Sequence, residues 1–424
     1  MIANTANGTT FRSHFRWVIC ALLFFATVIA YVDRGVIGYL ETYLETVIGW
    51  NSIQYGYITS AFQAAYALGF LGAGWFTDRL GTRKGFAIAI CIWSVAAMLP
   101  GAAFSVTTFG IAMFFLGLGE AANFPACIKT VAEWFPKKER AFATGLFNSG
   151  ANVGSIVVPL VVPFLALTLG WRGAFFGTGM LGFVWLGLWL WLYDKPETHP
   201  YVSETELQLI ESDPAEKLDS IPWARLFPRR ETWAFAMGKF LTDAIWWFYI
   251  FWLPRYLQGT FHLNLEQSRR PVVAVYLLAI AGSVGGGWLS SFLLRRGMGV
   301  NFSRKATLLL CALCVVPVVY APYSGNLWVV VALIGFAAAA HQGWSANLFT
   351  LSSDMFPKSA VASVVGIGGM AGAIGGFILQ IATGYIVNAT NSYLPLFILA
   401  SSAYLIAWIV IQLLVPRLPV SPAH

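Results

Sequence analysis

The chain has 424 residues, of which 58% are hydrophobic and only 11% charged, against roughly 25% charged in soluble domains. This excludes a soluble protein and makes the chain an integral membrane protein. Its net charge of +7 therefore reports on membrane orientation and implies no nucleic-acid partner. The five cysteines include the doublet Cys311-x-x-Cys314 in an apolar run, which lacks the second ligand pair a metal centre needs.

Apolar runs long enough to cross a hydrocarbon core of ~30 Å recur at 16–40, 54–77, 85–104, 106–131, 142–168, 172–193, 232–257, 271–294, 306–322, 326–350, 360–386 and 393–415. They predict twelve transmembrane helices and an all-α membrane protein. The first run holds "FFATVIAYVDRGVIGYL", with Asp33 and Arg34 side by side. It keeps its charges and lacks a small-residue cleavage site, so it reads as a retained helix with the N-terminus inside. In that orientation Arg79, Arg83, Lys84, Lys137, Lys138, Arg140, Arg295, Arg296, Arg304, Lys305 and Lys358 face the cytoplasm, and only Arg172, Arg255, Arg269 and Arg270 face outward. That asymmetry follows the positive-inside rule.

The polar, proline-punctuated segment 194–233 divides the helices six and six. The expected organisation is an N-terminal bundle 1–193, a cytoplasmic linker 194–231 and a C-terminal bundle 232–424. Within the linker, "SETELQLIES" has an N-cap serine and the spacing of one short surface helix. The halves also look like copies. "EWFPKKERAFATGLFNSGANVG" from Glu133 aligns with "DMFPKSAVASVVGIGGMAGAIG" from Asp354 at an offset of 221, and the same offset sets Glu120 on His341. Parallel repeats of this kind form a site midway between the halves, and both residues are expected to line it.

The loop after the second helix, "GWFTDRLGTRKG", carries the pattern G-x-x-x-D-R-x-G-x-R-K. It resembles the signature of the major facilitator superfamily, in which Gly74, Asp78, Arg79 and Arg83 would form a conformational latch. The second half places Ser291 where Asp78 stands, so the latch is expected to be asymmetric. "EAANFPACIKTVAEWFPKKERAFATGLFNSG", with "YVDR" and "AHQGWSANLFTLSSDMFP", is similar to the anion:cation symporter branch, and within it to bacterial hexuronate transporters. The resemblance spans about Arg16 to Pro416. It implies a monomeric inner-membrane symporter with both termini cytoplasmic, whose partners are a small carboxylate, protons and lipid, and whose only cofactor is the proton gradient. It assigns proton coupling to Asp33 and Glu120 and substrate binding to Arg34.

The residues agree with that assignment. A guanidinium in a bilayer costs ~3 kcal/mol or more and is kept where it faces a cavity or a partner, and its planar fork fits a carboxylate bidentately. Asp33 points about 100° around the helix from Arg34, and Glu120 is a second desolvated carboxyl, flanked by Gly117 and Gly119. The alternative is a structural network in which Asp33 and Arg34 neutralise each other or Glu120. One departure stands out: the family's arginine seven residues before the helix-four glutamate is Met113 here. Arg34 would then be the sole intramembrane arginine clamp, exchanging Asp33 for the substrate, and Glu120 would be easier to protonate and matter less than Asp33. Tyr31, Tyr66 and Asn148, with His341, Gln342, Trp344 and Asn347 in helix ten and Trp246 and Trp247 in helix seven, could complete a sugar site. Lys239 and Asp243 are spaced for a salt bridge.

Proton-coupled import of a hexuronate is the favoured reading. Competing readings are an organic-anion exchanger or aldonate carrier without strict coupling, and a transporter-like sensor, which would need a signalling domain. No Gly-x-Ser-x-Gly elbow, His-x-x-Glu-His cluster or nucleotide-binding loop occurs in the sequence, so neither an enzyme nor an ATP-driven pump is expected.

Overall fold

The computed structural model describes residues 14–212, 223–356 and 358–418. The helices are α1 (Phe15–Ile48), α2 (Ser52–Leu80), α3 (Thr82–Ala102), α4 (Val106–Glu120), α5 (Asn123–Trp134), α6 (Lys137–Leu192), α7 (Glu204–Ile210), α8 (Trp223–Leu226), α9 (Arg230–Phe261), α10 (Arg269–Arg295), α11 (Val300–Val315), α12 (Leu327–Met355), α13 (Lys358–Thr390) and α14 (Leu394–Leu414). Among the described residues, nine helices are long and apolar enough to cross a membrane. The equally long α2 and α9 are more polar, and the long α6 is broken at Gly170, whose φ of 75° interrupts the helical path. With these, the twelve crossings expected from the sequence are present as helices.

Two expected spans are remodelled. Helix four is split into α4 and α5 by a tight turn at Ala121 and Ala122, whose amides bond back to Gly117 and Gly119 carbonyls at 3.1 and 3.4 Å. The split leaves Glu120 at the end of α4, against the turn. Helix nine starts six residues early and finishes as a 3-10 segment over Val316–Tyr323, because Pro317 and Pro322 cannot donate the amide bonds an α-helix requires. The surface helix in the linker forms as α7, with Ser203 Oγ accepting from the Glu206 amide at 3.2 Å. The central linker residues 213–222 lie outside the described residues.

Packing repeats between the halves. In the first, α1 and α3 pack on α6, and α2 packs on α4; in the second, α9 packs on α13, α11 on α14 and α10 on α12. Each contact in one half thus has a counterpart displaced by six crossings. The halves meet along α2 with α13, α1 with α9, and α6 with α10.

At the end where α1 finishes and α2 begins, the halves are tied together. Buried Glu41 accepts from Arg255 of α9 and from Trp50 Nε1 at 3.3 Å. Arg255 also reaches Glu45 at 3.1 Å and Ser52 at 2.9 Å. Tyr39 donates to the Leu265 carbonyl at 2.8 Å, Tyr55 to the Phe251 carbonyl at 2.8 Å, and Thr59 to Gln380 Oε1 at 3.1 Å. Backbones touch here too: a β-carbon at Gly38 would lie 2.8 Å from the Ile250 carbonyl oxygen. The ion pairs found at the opposite end among the described residues lie within one half or tie the first half to the start of the linker. Arg16 pairs with Glu139 at 2.9 Å and Glu206 at 3.0 Å, Arg83 with Asp194 at 3.1 Å, and Arg304 with Asp354 at 2.8 Å. Glu206 further accepts the Phe15 and Arg16 amides, both at 3.1 Å, so the start of the linker caps α1 and is fastened to the first half.

The molecule is therefore closed at the Glu41–Arg255 end. Removing one partner of a buried pair strands the other at a cost of about 3–5 kcal/mol. Arg255→Ala should accordingly part the halves at this end. Spin labels at Val47 and Thr260, both exposed, should show a longer-distance population in the variant than in wild type; identical distributions would show that other contacts hold the closure.

Candidate substrate and proton site

Arg34 lies near the middle of α1 and is 2% exposed. Its Nη2 lies 2.5 Å from Glu120 Oε2, and its Nε donates to the Ala30 carbonyl at 3.3 Å. Four rings enclose the guanidinium: Tyr31 with its centre at 4.3 Å, Trp247 at 5.1 Å, and Phe62 and Tyr66 each at 5.4 Å. Trp247 comes from the opposite half, so the cage is assembled across the central interface. The rings attract the cation through their faces and exclude water, which strengthens the Arg34–Glu120 attraction. Glu120 reaches Arg34 because α4 packs tightly on α2: a β-carbon at Gly117 would overlap the Phe62 carbonyl.

This pairing corrects the expectation that Arg34 starts out on Asp33. Neighbours along a helix do not face one another, and Arg34 turns toward α2, α4 and α9 while Asp33 turns toward Thr178 in α6. Asp33 is 2% exposed, and neither carboxylate oxygen makes a well-formed hydrogen bond. Glu120 likewise does not lack a positive neighbour. The charge missing at Met113, which is buried in the core, is supplied to Glu120 from α1.

The remaining expected site residues divide. Tyr31 and Tyr66 join the cage. Gln342 spans the halves, its Nε2 donating to Asn152 Oδ1 at 2.6 Å. Asn148, by contrast, is exposed, and Asn152, one turn later, makes the contact. His341 is buried as expected, but it turns into its own half, accepting from or donating to Tyr404 at 2.7 Å and stacking on Trp246 at 4.8 Å. Trp344 packs edge-on against Tyr404. Asn347 donates to the carbonyls of Gly286 at 3.0 Å and Gly343 at 2.8 Å, which makes it a bond between α10 and α12. Lys239 and Asp243 form the expected pair, at 2.6 Å.

Of the expected latch, Gly74 and Asp78 have side chains outside the described residues, and Arg79 is exposed. Arg83 donates to the Leu190 carbonyl at 2.7 Å, closing the end of α6 where a cation suits the helix dipole. In the second half Arg304, 221 residues after Arg83, donates to Ser290 at 2.7 Å as well as pairing with Asp354. The serine engaged is thus Ser290, beside Ser291.

Sequence reasoning passed over Gln63. Both its amide atoms are buried without a hydrogen-bond partner, and it lies beside Trp247 and Gly376. An unpaired amide in a membrane interior is costly, and its polarity inside the apolar run of α2 was the available signal.

A family model described as Major Facilitator Superfamily matches residues 23–380. Among curated relatives, the hexuronate transporter of Escherichia coli is 29% identical over 411 residues, covering 94% of each chain. A probable galactarate/D-glucarate transporter of Bacillus subtilis is 30% identical over 400 residues, covering 90% of this chain and 88% of the relative. The D-galactonate transporter of an Escherichia coli strain is 28% identical over 405 residues, covering 92% and 93%. Among solved structures, a bacterial homolog of the human lysosomal transporter Spinster, inward-facing and occupied, superposes with a TM-score of 0.76 at 18% identity, covering 96% of this chain and 99% of that one. The D-xylose-proton symporter gives a TM-score of 0.73 at 15% identity, covering 96% and 99%. A fold of two repeated six-helix sets, a buried charged site between them and a family match over most of the chain lead to one conclusion: the chain belongs to the Major Facilitator Superfamily and is a membrane transporter, not an enzyme.

Proposed function

We propose that this transporter imports a sugar acid by proton-coupled symport across a bacterial inner membrane, with both termini cytoplasmic. The observation that carries the reading is the Arg34–Glu120 pair inside its aromatic cage. Relatives named for hexuronate, galactarate or glucarate, and galactonate share one element of cargo chemistry, a carboxylate on a chain of hydroxyls. Arg34 is the group that suits the carboxylate, and Tyr31, Tyr66 and Trp247 offer rings and polar tips to the carbons and hydroxyls. The sequence resemblance favours a hexuronate within this class.

Coupling follows from competition for one cation. While Glu120 is ionised it occupies Arg34. A proton on Glu120 frees the guanidinium for the cargo, and the cargo's carboxylate in turn leaves Glu120 without its cation, so each event favours the other. Asp33, buried without a cationic partner of its own, is a second place for a proton. Rocking of residues 1–193 against 232–424 would open the Glu41–Arg255 end and close the other. Anion exchange without protons is the second reading, favoured by Met113 where the family has an arginine.

Transport in liposomes separates them. With labelled D-glucuronate or D-galactonate, wild type should accumulate cargo when an inward proton gradient is imposed, and Asp33→Asn and Glu120→Gln should keep counterflow while losing that accumulation. Arg34→Lys should lose most binding, because a point charge lacks the forked geometry. Accumulation indifferent to the gradient would establish exchange. Loss of counterflow in both carboxyl variants would make these groups structural.

A further inference from the structure

The cage around Arg34 accounts for one carboxylate, yet α9, which gives Trp247 to that cage, also carries a second buried cation. Asp243 and Lys239 lie four and eight residues before Trp247, so all three share one face of α9, with the two charged residues about 6 and 12 Å along the axis from the tryptophan. Lys239 is 7% exposed. Its ammonium lies 2.6 Å from Asp243 Oδ2 and 4.6 Å from the centre of the Phe349 ring of α12. Asp243 packs against Gly372 of α13, and Gly376, one turn further along α13, lies against Trp247 and against Gln63 of α2. The Lys239–Asp243 pair and the Arg34–Glu120 pair are assemblies of the same build. Each is a buried cation held by a carboxylate with an aromatic face at its flank, one in each half of the transporter.

A lysine serving only to orient the chain would reach for water at a helix end. Lys239 instead is the tenth residue of α9, which begins at Arg230, and pairs with Asp243 one turn further in. The pair also lies on the side of Trp247 toward the start of α9, away from the Glu41–Arg255 closure. A chain anchored on Arg34 and running toward the end that is not tied shut passes it.

Resting on the sugar-acid reading above, but departing from the one-carboxylate hexuronate that the resemblance favours within it, we propose that Lys239 is a second carboxylate anchor and that the natural cargo is a sugar acid carboxylated at both ends. One carboxylate takes Arg34 from Glu120, the other takes Lys239 from Asp243, and the hydroxylated carbons between them lie along Tyr31 and Trp247. The two cations belong to opposite halves, so a diacid joins the halves while a monoacid holds only one; closure is thereby tied to cargo identity. Charge balances when Glu120 and Asp243 each take a proton as the dianion binds.

Calorimetry on the purified transporter in detergent tests this with D-glucarate, D-gluconate and D-glucuronate, which carry two, one and one carboxylates. Wild type should bind D-glucarate about tenfold to hundredfold more tightly than either monoacid, the range expected for hydrogen bonds to a charged group. Lys239→Gln should bring that ratio close to one. So should Lys239→Gln combined with Asp243→Asn, which leaves no stranded charge and guards against misfolding of the single variant. A wild-type ratio near one, or a preference that survives in the double variant, would overturn the second anchor while leaving the sugar-acid reading intact. Absence of binding by all three acids would overturn both.

Discussion

The structure is organised by the need to keep one guanidinium inside a membrane. Arg34 is 2% exposed, at a depth where an uncompensated cation is strongly unfavourable. Compensation comes from a carboxylate on α4 and rings from α1, α2 and α9, so four helices from both halves converge on one side chain. The tight approach of α4 to α2, the turn after Glu120 and the contact of Trp247 across the interface all serve that convergence. A buried pair of this kind adds little net stability over an apolar one, whereas breaking it is costly. That asymmetry suits the proposed exchange of partners at Arg34, in which Glu120 is replaced and never simply removed.

Closure at one end has a different chemistry from the site. Glu41, Glu45 and Arg255 join the halves there with tyrosine and glutamine bonds to backbone carbonyls around them. At the other end, Arg304 pairs inside its own half, and Arg83 and Arg16 pair with the start of the linker, Arg16 also with Glu139 of the first half. The halves can thus keep their internal fastenings while the contacts between them change, which is what rigid-body rocking requires. The fastening of the linker start to α1 through Glu206 means that residues up to the end of α7 would travel with the first half.

Much of this could be read from the sequence, for identifiable reasons. Helix positions follow from uninterrupted apolar runs, and the repeat from an offset that the packing pairs reproduce. Arg34, Asp33 and Glu120 announce themselves as charges where charges are expensive. Their partners do not, because pairing between helices depends on azimuth and on how closely backbones approach. The sequence therefore left Asp33 and Glu120 as rivals for Arg34, and the turn at Ala121 and Ala122 was invisible within an apolar run. Amides were harder still. Asn347 and Gln342 look alike in a helix, yet one bonds α10 to α12 and the other crosses the halves. Asn148 and Asn152 lie one turn apart, and only the second meets Gln342. Glu41 read as a residue at the edge of the first span, whereas the longer α1 carries it into the closure.

The central claim is that cargo and Glu120 compete for Arg34, so that binding an anion obliges Glu120 to take a proton. Calorimetric titration of the transporter with a sugar acid, repeated at one pH in buffers of different ionisation enthalpy, counts the protons taken up with the cargo. The account predicts net proton uptake in wild type and one proton fewer in Glu120→Gln; no uptake in wild type, or the same uptake in both proteins, would contradict it.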